Sequence, residues 1–336
     1  MKKALKLIGL FIVIMALTVS LMGCSQDTPE EAQDTGEQGT EVQDFEEHDI
    51  IIATGGTSGA WYPIGVGIAE VLTGVDNGIS ATGEVTNGGI ENGRRIAKNE
   101  IAFAFVNNDA GYFALNGEGP YEEAYDVAAV ASLYPSTMQI AVFADSDIHK
   151  IEDLKGKKVV VGPPASSSAI MSWNVLAEYG ITENDIEGLT LSFAEGAQAM
   201  KDGHADSLIV VSAHPNSALT ELALTNDIRL LQVEGQSRDS VLSKHGYYDK
   251  FVIPGGTYST ISEDINTLSL GTMLIANKSV SEELVYQFVK GLYENLDQLE
   301  GVHAMAKNIK LDHAATVPIP LHPGAERYYK EAGLID

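Results

Sequence analysis

An apolar run at residues 50–53 breaks at Gly55-Gly56 into a small hydroxylated loop, Thr57-Ser58-Gly59. Apolar positions then recur with helical spacing at Ile64, Ile68 and Leu72. A strand, a tight glycine turn and a helix entered at its open end satisfy this pattern, which sets the α/β class. Backbone N–H groups point outward at a helix start, where the helix dipole favours negative charge. Gly56, Thr57 and Ser58 therefore form a candidate cradle for an anionic ligand group. Trp61 and Tyr62 at the lip of the loop offer it a flat wall. The plainer alternative is a turn whose glycines only permit the bend.

The same alternation continues along the chain. Short β-rich runs occupy residues 50–53, 101–106, 127–133, 139–144, 159–161, 189–193, 207–211, 228–233 and 268–276. Helical patterns fall at residues 64–72, 90–98, 169–179, 197–201 and 216–224. Strands separated by helices of this length predict parallel βαβ units in an open sheet. Ser281-Glu282-Glu283 then opens a helix whose apolar stripe is Leu284, Phe288, Leu292 and Leu296. The runs at 139–144 and 268–276 bracket a middle portion with strands and helices of its own. No internal repeat is evident.

The front of the chain is different material. Lys2, Lys3 and Lys6 precede an apolar segment, residues 7–22, that ends at Gly23-Cys24. This reads as a secretory signal, a little short for a membrane span of roughly 20 apolar residues. Cys24 is the sole cysteine, so no disulfide can form within the chain. Residues 25–49 hold ten acidic residues and no Lys or Arg. Such a stretch cannot bury enough surface to fold and is expected to be a disordered tether. The whole chain carries −26; setting aside the +3 of the leader and the ten tether acids leaves roughly −19 on the globular part. That surface repels nucleic acid and suits a soluble extracytoplasmic protein.

Several strand ends supply further candidates. Asn107 and Asp109 close one strand with amide and carboxylate groups, which could fix a ligand's ammonium or hydroxyl or simply cap the next helix. Tyr134 and Gln139 flank the start of the 139–144 run. Ala165, Ser166, Ser167 and Ser168 lead into a helix and offer hydroxyl and amide donors for a second anionic group. As plain capping residues the serines would be ordinary. Ser212 and His214 end another strand, and Tyr258 lies near the return of the chain. No arginine falls in these loops; Arg94 and Arg95 lie on a helix and are expected to face solvent.

The chain resembles the TAXI proteins, the solute-binding proteins of one branch of the TRAP transporters. The likeness begins in the glycine loop and continues through GGIENGRRIAKNEIAFAFVNND (88–109), ASLYPSTMQIAVFADSDI (131–148) and DLKGKKVVVG (153–162). It resumes in FVIPGGTY (251–258) and VPIPLHPGAERYYKEAG (317–333), so it spans residues 50–336 in order. The resemblance implies a type II periplasmic-binding-protein fold. Residues 50–138 with 269–336 would form lobe 1, residues 139–268 lobe 2, with crossing strands and a ligand cleft between them. It also implies solute capture and delivery to a TRAP membrane permease driven by an ion gradient. Leu21-Met22-Gly23-Cys24 resembles a lipobox. On that reading residues 1–23 are a lipoprotein signal peptide, Cys24 is lipidated, and residues 24–49 tether the protein to the outer face of the membrane. Many TAXI proteins read Gly-Ser-Gly-Thr-Glu where this chain has Ala165-Ser166-Ser167-Ser168-Ala169, and Trp173 stands where a polar residue is more usual. The solute class implied is therefore a small anionic metabolite, with glutamate-like amino acids, dicarboxylates and keto acids as members.

Other functions are disfavoured by what the chain contains. No G-x-S-x-G elbow, H-E-x-x-H pair or P-loop occurs, and the eight histidines are scattered. The expectation is a binding protein without catalytic residues, cofactor or metal, acting as a monomer. An orphan sensor that hands the solute to a signalling partner, or an enzyme on the same two-lobed fold, is the alternative.

Overall fold

The computed structural model describes residues 48–336. The expected leader, the lipidation site Cys24 and the tether up to residue 47 lie outside these residues. Strand β1 (His48–Ala53) begins two residues earlier than residue 50, because His48 and Asp49 pair with Ile79 and Ser80. The last two residues of the expected tether are thus strand. There follow α1 (Trp61–Gly74), β2 (Ile79–Glu84), α2 (Gly89–Ala97), β3 (Phe103–Asn107), α3 (Asn108–Asn116) and the long β4 (Val127–Phe143). The middle portion contributes β5 (Lys158–Val160), α4 (Ser167–Glu178), β6 (Glu187–Leu189), α5 (Phe193–Lys201) and β7 (Ser207–Ser212). It continues through α6 (Ser217–Thr225), β8 (Ile228–Leu230), α7 (Gly235–Lys244) and β9 (Tyr248–Ile253). The chain then returns along β10 (Ile265–Asn277) and ends in α8 (Glu282–Tyr293) and α9 (Pro323–Glu331).

The strands form one mixed sheet in the order β2-β1-β3-β10-β4-β7-β5-β6, with β8 on β4 and β9 on β10. Strands β1, β2 and β3 run parallel to one another, as do β5, β6 and β7. β4 and β10 are antiparallel to their neighbours and connect the two parallel groups. β4 pairs with β10 up to Thr137 and with β7 from Thr137 to Val142. β10 pairs with β9 from Ile265 to Leu270 and with β3 from Thr272 to Ala276.

The apolar runs at 127–133 and 139–144 are halves of this single β4. Pro135 between them has no N–H to donate, but it sits opposite Gly271 where the register is irregular, which is where a strand tolerates proline. Residues 189–193 are not a strand. β6 ends at Leu189, and Ser192 caps α5 with the reciprocal Glu195 contact of a capping box. β2, β9, α3, α7 and α9 join the expected elements.

Alternation along the central strands buries both faces of the sheet. Phe103 and Phe105 pack to one side of β3 with α1 and α8, while Ala104 and Val106 pack to the other with Ile90 and Ala110. Ile209 and Val211 of β7 face Met171 and Val175, and Leu208 and Val210 face Met200 and Leu219. On α8 the expected stripe holds for Leu284, Phe288 and Leu292, whereas Leu296 is only half-buried beyond the helix end. The Phe103 and Phe288 rings stack with centroids 4.0 Å apart, and both are fully buried. Phe288→Ala is expected to destabilise by about 3–5 kcal/mol, seen as a lower urea midpoint at unchanged slope. A loss below about 1 kcal/mol would contradict this core assignment.

Candidate functional site

Every strand of the two parallel groups ends at the same place. The loops after β1, β2 and β3 meet those after β5, β6 and β7 around a cavity of about 60 Å³. Its walls are Gly55, Gly56, Ser58, Gly59 and Trp61; Asn87, Gly88 and Gly89; Asn107; Pro163 and Ser166 to Ser168; Ser192 and Phe193; Val211 and Ser212. These are the starts of α1 to α5, together with the end of β7. No lining residue carries an ionisable side chain.

Local sequence explains why the backbone comes so near. A Cβ on Gly65 would stand 2.4 Å from Thr54 Cγ2, so glycine lets α1 lie directly on the end of β1. Gly59 N–H donates to the Gly56 carbonyl at 2.9 Å and closes the turn. Gly162 has φ +115°, and a Cβ there would meet Ser168 Cβ at 2.8 Å, so only glycine makes the β5–α4 turn this tight. Beneath the first group of loops, the Asn92 amide donates to the carbonyls of Thr54 and Phe105 at 2.8 and 2.7 Å. That buried bridge fixes the ends of β1 and β3 to each other.

The helix starts differ in how they are capped. α1, α2 and α3 have no hydrogen bond from an N-cap side chain, although in α3 the Ala110 N–H donates to Asp109 Oδ1 at 2.6 Å. Ser166 caps α4 by accepting from Ala169 N–H, and Ser192 caps α5. Five positive dipole ends therefore face one small space that contains no cation.

The parallel groups touch across it. Asn216 Nδ2 and Ser217 Oγ each donate to the Ser58 carbonyl at 2.9 Å. Ser167 Oγ donates to Asp109 Oδ1 at 2.6 Å. Tyr258 O–H donates to Gln139 Oε1 and accepts from Asn216 N–H at 2.8 Å, linking the crossing strand β4 to the same contact.

Of the expected residues, Gly56, Ser58, Trp61, Asn107, Ser166, Ser167, Ser168 and Ser212 line the cavity. Asp109 stands just behind Ser167, fully buried. Thr57 is exposed at the turn and Tyr62 lies half-buried on α1, both off the wall. Tyr134 is in the core beside α8 rather than in a loop, because β4 runs straight through it. Gln139 and Tyr258 are buried against each other. Ala165 is exposed with φ +50°, a left-handed conformation that is strained for a residue bearing Cβ. His214 is half-buried, its Nδ1 3.2 Å from Thr137 Oγ1 and its ring against Phe251; burial lowers its pKa and favours the neutral imidazole. Trp173 packs on Gly188.

Sequence reasoning missed Asn87-Gly88-Gly89 and Ser192-Phe193. An Asn-Gly-Gly turn and a Ser-x-x-Glu box marked both helix starts, but the strands before them, β2 and β6, are weakly apolar. Arg94 and Arg95 are half-buried rather than solvent-facing. Arg95 forms a bidentate pair with Glu84 at 2.8 and 3.2 Å, and Arg94 donates to the Pro120 carbonyl. Larger hollows exist away from these loops. One of about 480 Å³ is bordered by Asp145 and Asp227 and is open to solvent, and it contains none of the helix starts.

The model of the NMT1-like family matches residues 52–333. The chain belongs to the NMT1-like family. Among solved structures, this NMT1-like chain is similar to a binding protein component of an ABC phosphonate transporter from Pseudomonas aeruginosa. Identity is 13%, with a TM-score of 0.52, over 79% of this chain and 81% of that one. A protein from Bordetella bronchiseptica RB50 matches at 15% identity and TM-score 0.51, over 86% and 89%. These likenesses establish the two-lobed periplasmic-binding-protein fold for the NMT1-like chain.

Burial pushes the Asp109 pKa up to about 6, while hydrogen bonds from Ser167 and the Ala110 N–H pull less strongly the other way. Its Oδ2 has no partner among the described residues. The folded protein thus binds this proton more tightly than the unfolded chain. The resulting stability is present in full below the unfolded pKa and is lost as pH rises through about 6. Relative to Asp109→Asn, the wild type should lose about 3 kcal/mol between about pH 3 and pH 7, read by urea unfolding at each pH. Parallel stability curves for the two proteins would contradict a raised pKa.

Proposed function

We propose that the protein is the extracytoplasmic solute-binding component of a transporter, holding a small anionic metabolite in the cavity and delivering it to a membrane permease. The observation that carries this reading is the convergence of five helix starts, three without side-chain caps, on a space lined by no charged side chain. Backbone amides and hydroxyls can hold an anion there without a counter-cation. Membership of the NMT1-like family and the role of the Pseudomonas neighbour as a transporter's binding protein support it. No lining residue offers an acid, base or thiol nucleophile, Asp109 lies behind Ser167, and His214 faces β4 and β9.

On this reading residues 50–138 with 269–336 move as lobe 1 and residues 139–268 as lobe 2. The hinge lies where β4 and β10 change partners. Closure on the solute stabilises one shape, which the permease recognises. The TAXI resemblance favours a TRAP permease and lipid anchoring through Cys24. The Pseudomonas neighbour belongs to an ABC system, so an ABC permease is the second reading. Uptake by reconstituted vesicles separates them: dissipating the ion gradient abolishes TRAP transport, whereas removing ATP abolishes ABC transport.

Solute capture itself is tested with the full-length protein in detergent, by thermal shift against carboxylates, amino acids and phosphonates. A binder at a thousandfold excess over its Kd should stabilise the fold by about 4 kcal/mol. Ser212 Oγ lines the cavity and has no protein partner among the described residues. Ser212→Ala should therefore weaken binding by about tenfold and leave the unliganded melting temperature unchanged. If no anion stabilises the wild type, solute capture is the wrong function.

A further inference from the structure

One contact between the two parallel groups differs in kind from the others, because it buries an acid. Asp109 is fully buried in the first turn of α3, and its Oδ2 has no partner among the described residues. Oδ1 accepts from the Ala110 N–H and from the Ser167 hydroxyl, each at 2.6 Å. Ala110 belongs to the same helix, whereas Ser167 belongs to α4 in the other group. More of the cover comes from across the seam. Ile170 of α4 packs against the cluster that includes Ala110 and Ala114. One turn along α3, the Phe113 ring stands edge-on to Tyr247 at 5.6 Å. Burial raises the pKa values of Tyr247 and Tyr248, and the charge of nearby Asp109 adds to this. On the α3 side the facing group is Tyr121, raised by burial and by Asp109 and lowered by Arg94, 5.7 Å from its ring. Behind Tyr247 stand Glu118 and His245, whose Nδ1 is 3.1 Å from the Tyr247 hydroxyl. The groups nearest the carboxyl are thus phenols, which carry no positive charge to offset its own.

Parting the groups would take Ser167, Ile170, Tyr247 and Tyr248 away together and admit water to the unpartnered Oδ2. A carboxyl costs far more to ionise in a dry site than in water, so closure and protonation favour each other. We propose that Asp109 is a proton-operated catch, which takes up a proton as the two lobes close and gives it up as they part. This goes beyond solute capture and rests on the lobe motion described above. Burial sets the closed-state pKa at about 6, against 3.8 for an ordinary aspartate. The proton's contribution to closure is complete below about pH 4 and is lost as pH rises through about 6. The lobes therefore hold each other more firmly in acid and part more easily at neutral pH.

Pulsed electron–electron double resonance reads the two shapes directly. Nitroxides go on an exposed residue of each lobe, through Glu70→Cys and Glu183→Cys in the full-length chain carrying Cys24→Ser. With no solute added, the ratio of closed to open distances should be about tenfold larger at pH 5 than at pH 7. Adding Asp109→Asn should make the ratio equal at both pH values, because the amide keeps an acceptor for Ser167 but binds no proton. That variant retains His245, so a pH effect carried by the imidazole would persist in it. Equal ratios without Asp109→Asn, or a pH effect that survives it, would overturn the proposal and leave solute capture intact. A single unchanging distance would overturn it together with the lobe motion. Carbon-13 resonance of the Asp109 carboxyl gives a second reading. Its titration midpoint should lie well above 3.8 in the wild type and fall toward that value in Tyr247→Ala, which strips cover supplied by the other lobe. A midpoint unmoved by Tyr247→Ala would place the burial within one lobe and would also overturn the proposal.

Discussion

On the proposed reading an anion is held without a cation, which requires neutral donors to converge, and helix starts brought to one point supply peptide N–H groups for that. The rest of the structure serves that requirement. Parallel strands β1, β2 and β3 all deliver their carboxyl ends to one side, and so do β5, β6 and β7. β4 and β10, running antiparallel between the groups, set those two sides face to face. Glycines at positions 65 and 162 remove the side chains that would hold the helices away. The fold thus brings several helix starts to one cavity lined by uncharged side chains in a strongly acidic molecule.

The pocket is small and its contacts are polar, so the stability of the molecule must come from elsewhere. It comes from a sheet buried on both faces, with the aromatic stack of Phe103 on Phe288 under one parallel group and the aliphatic face of β7 under the other. The contacts between the two groups include Ser58 with Asn216 and Ser217, Asp109 with Ser167, and the Phe113 ring edge-on to Tyr247 at 5.6 Å.

Much of this was legible in the sequence because the signals were local. The glycine loop before Ile64 announced a helix start, and the three serines before Ala169 announced another. The alternation of runs and helices fixed the class. What failed to show was set by partners far along the chain. Pro135 looks like a loop residue until Gly271 lies opposite it at an irregular register. Tyr134, Gln139 and Tyr258 are polar-tipped residues near strand ends, but β4 carries the first two into the interior and Tyr258 closes on Gln139. β2 and β6 carry too few apolar residues to stand out, and the cavity residues that follow them were missed for that reason. Asp109 was visible as a candidate; that it accepts from Ser167, a residue 58 positions away, was not.

The most direct test of the central claim is a ¹⁵N–¹H spectrum of the protein with and without a saturating acid. Convergent amides predict downfield shifts and slowed exchange at helix starts from both parallel groups together, with Gly56 and Gly89 on one side and Ser168 on the other. Perturbations confined to one group, or to lysine and arginine side chains, would contradict it.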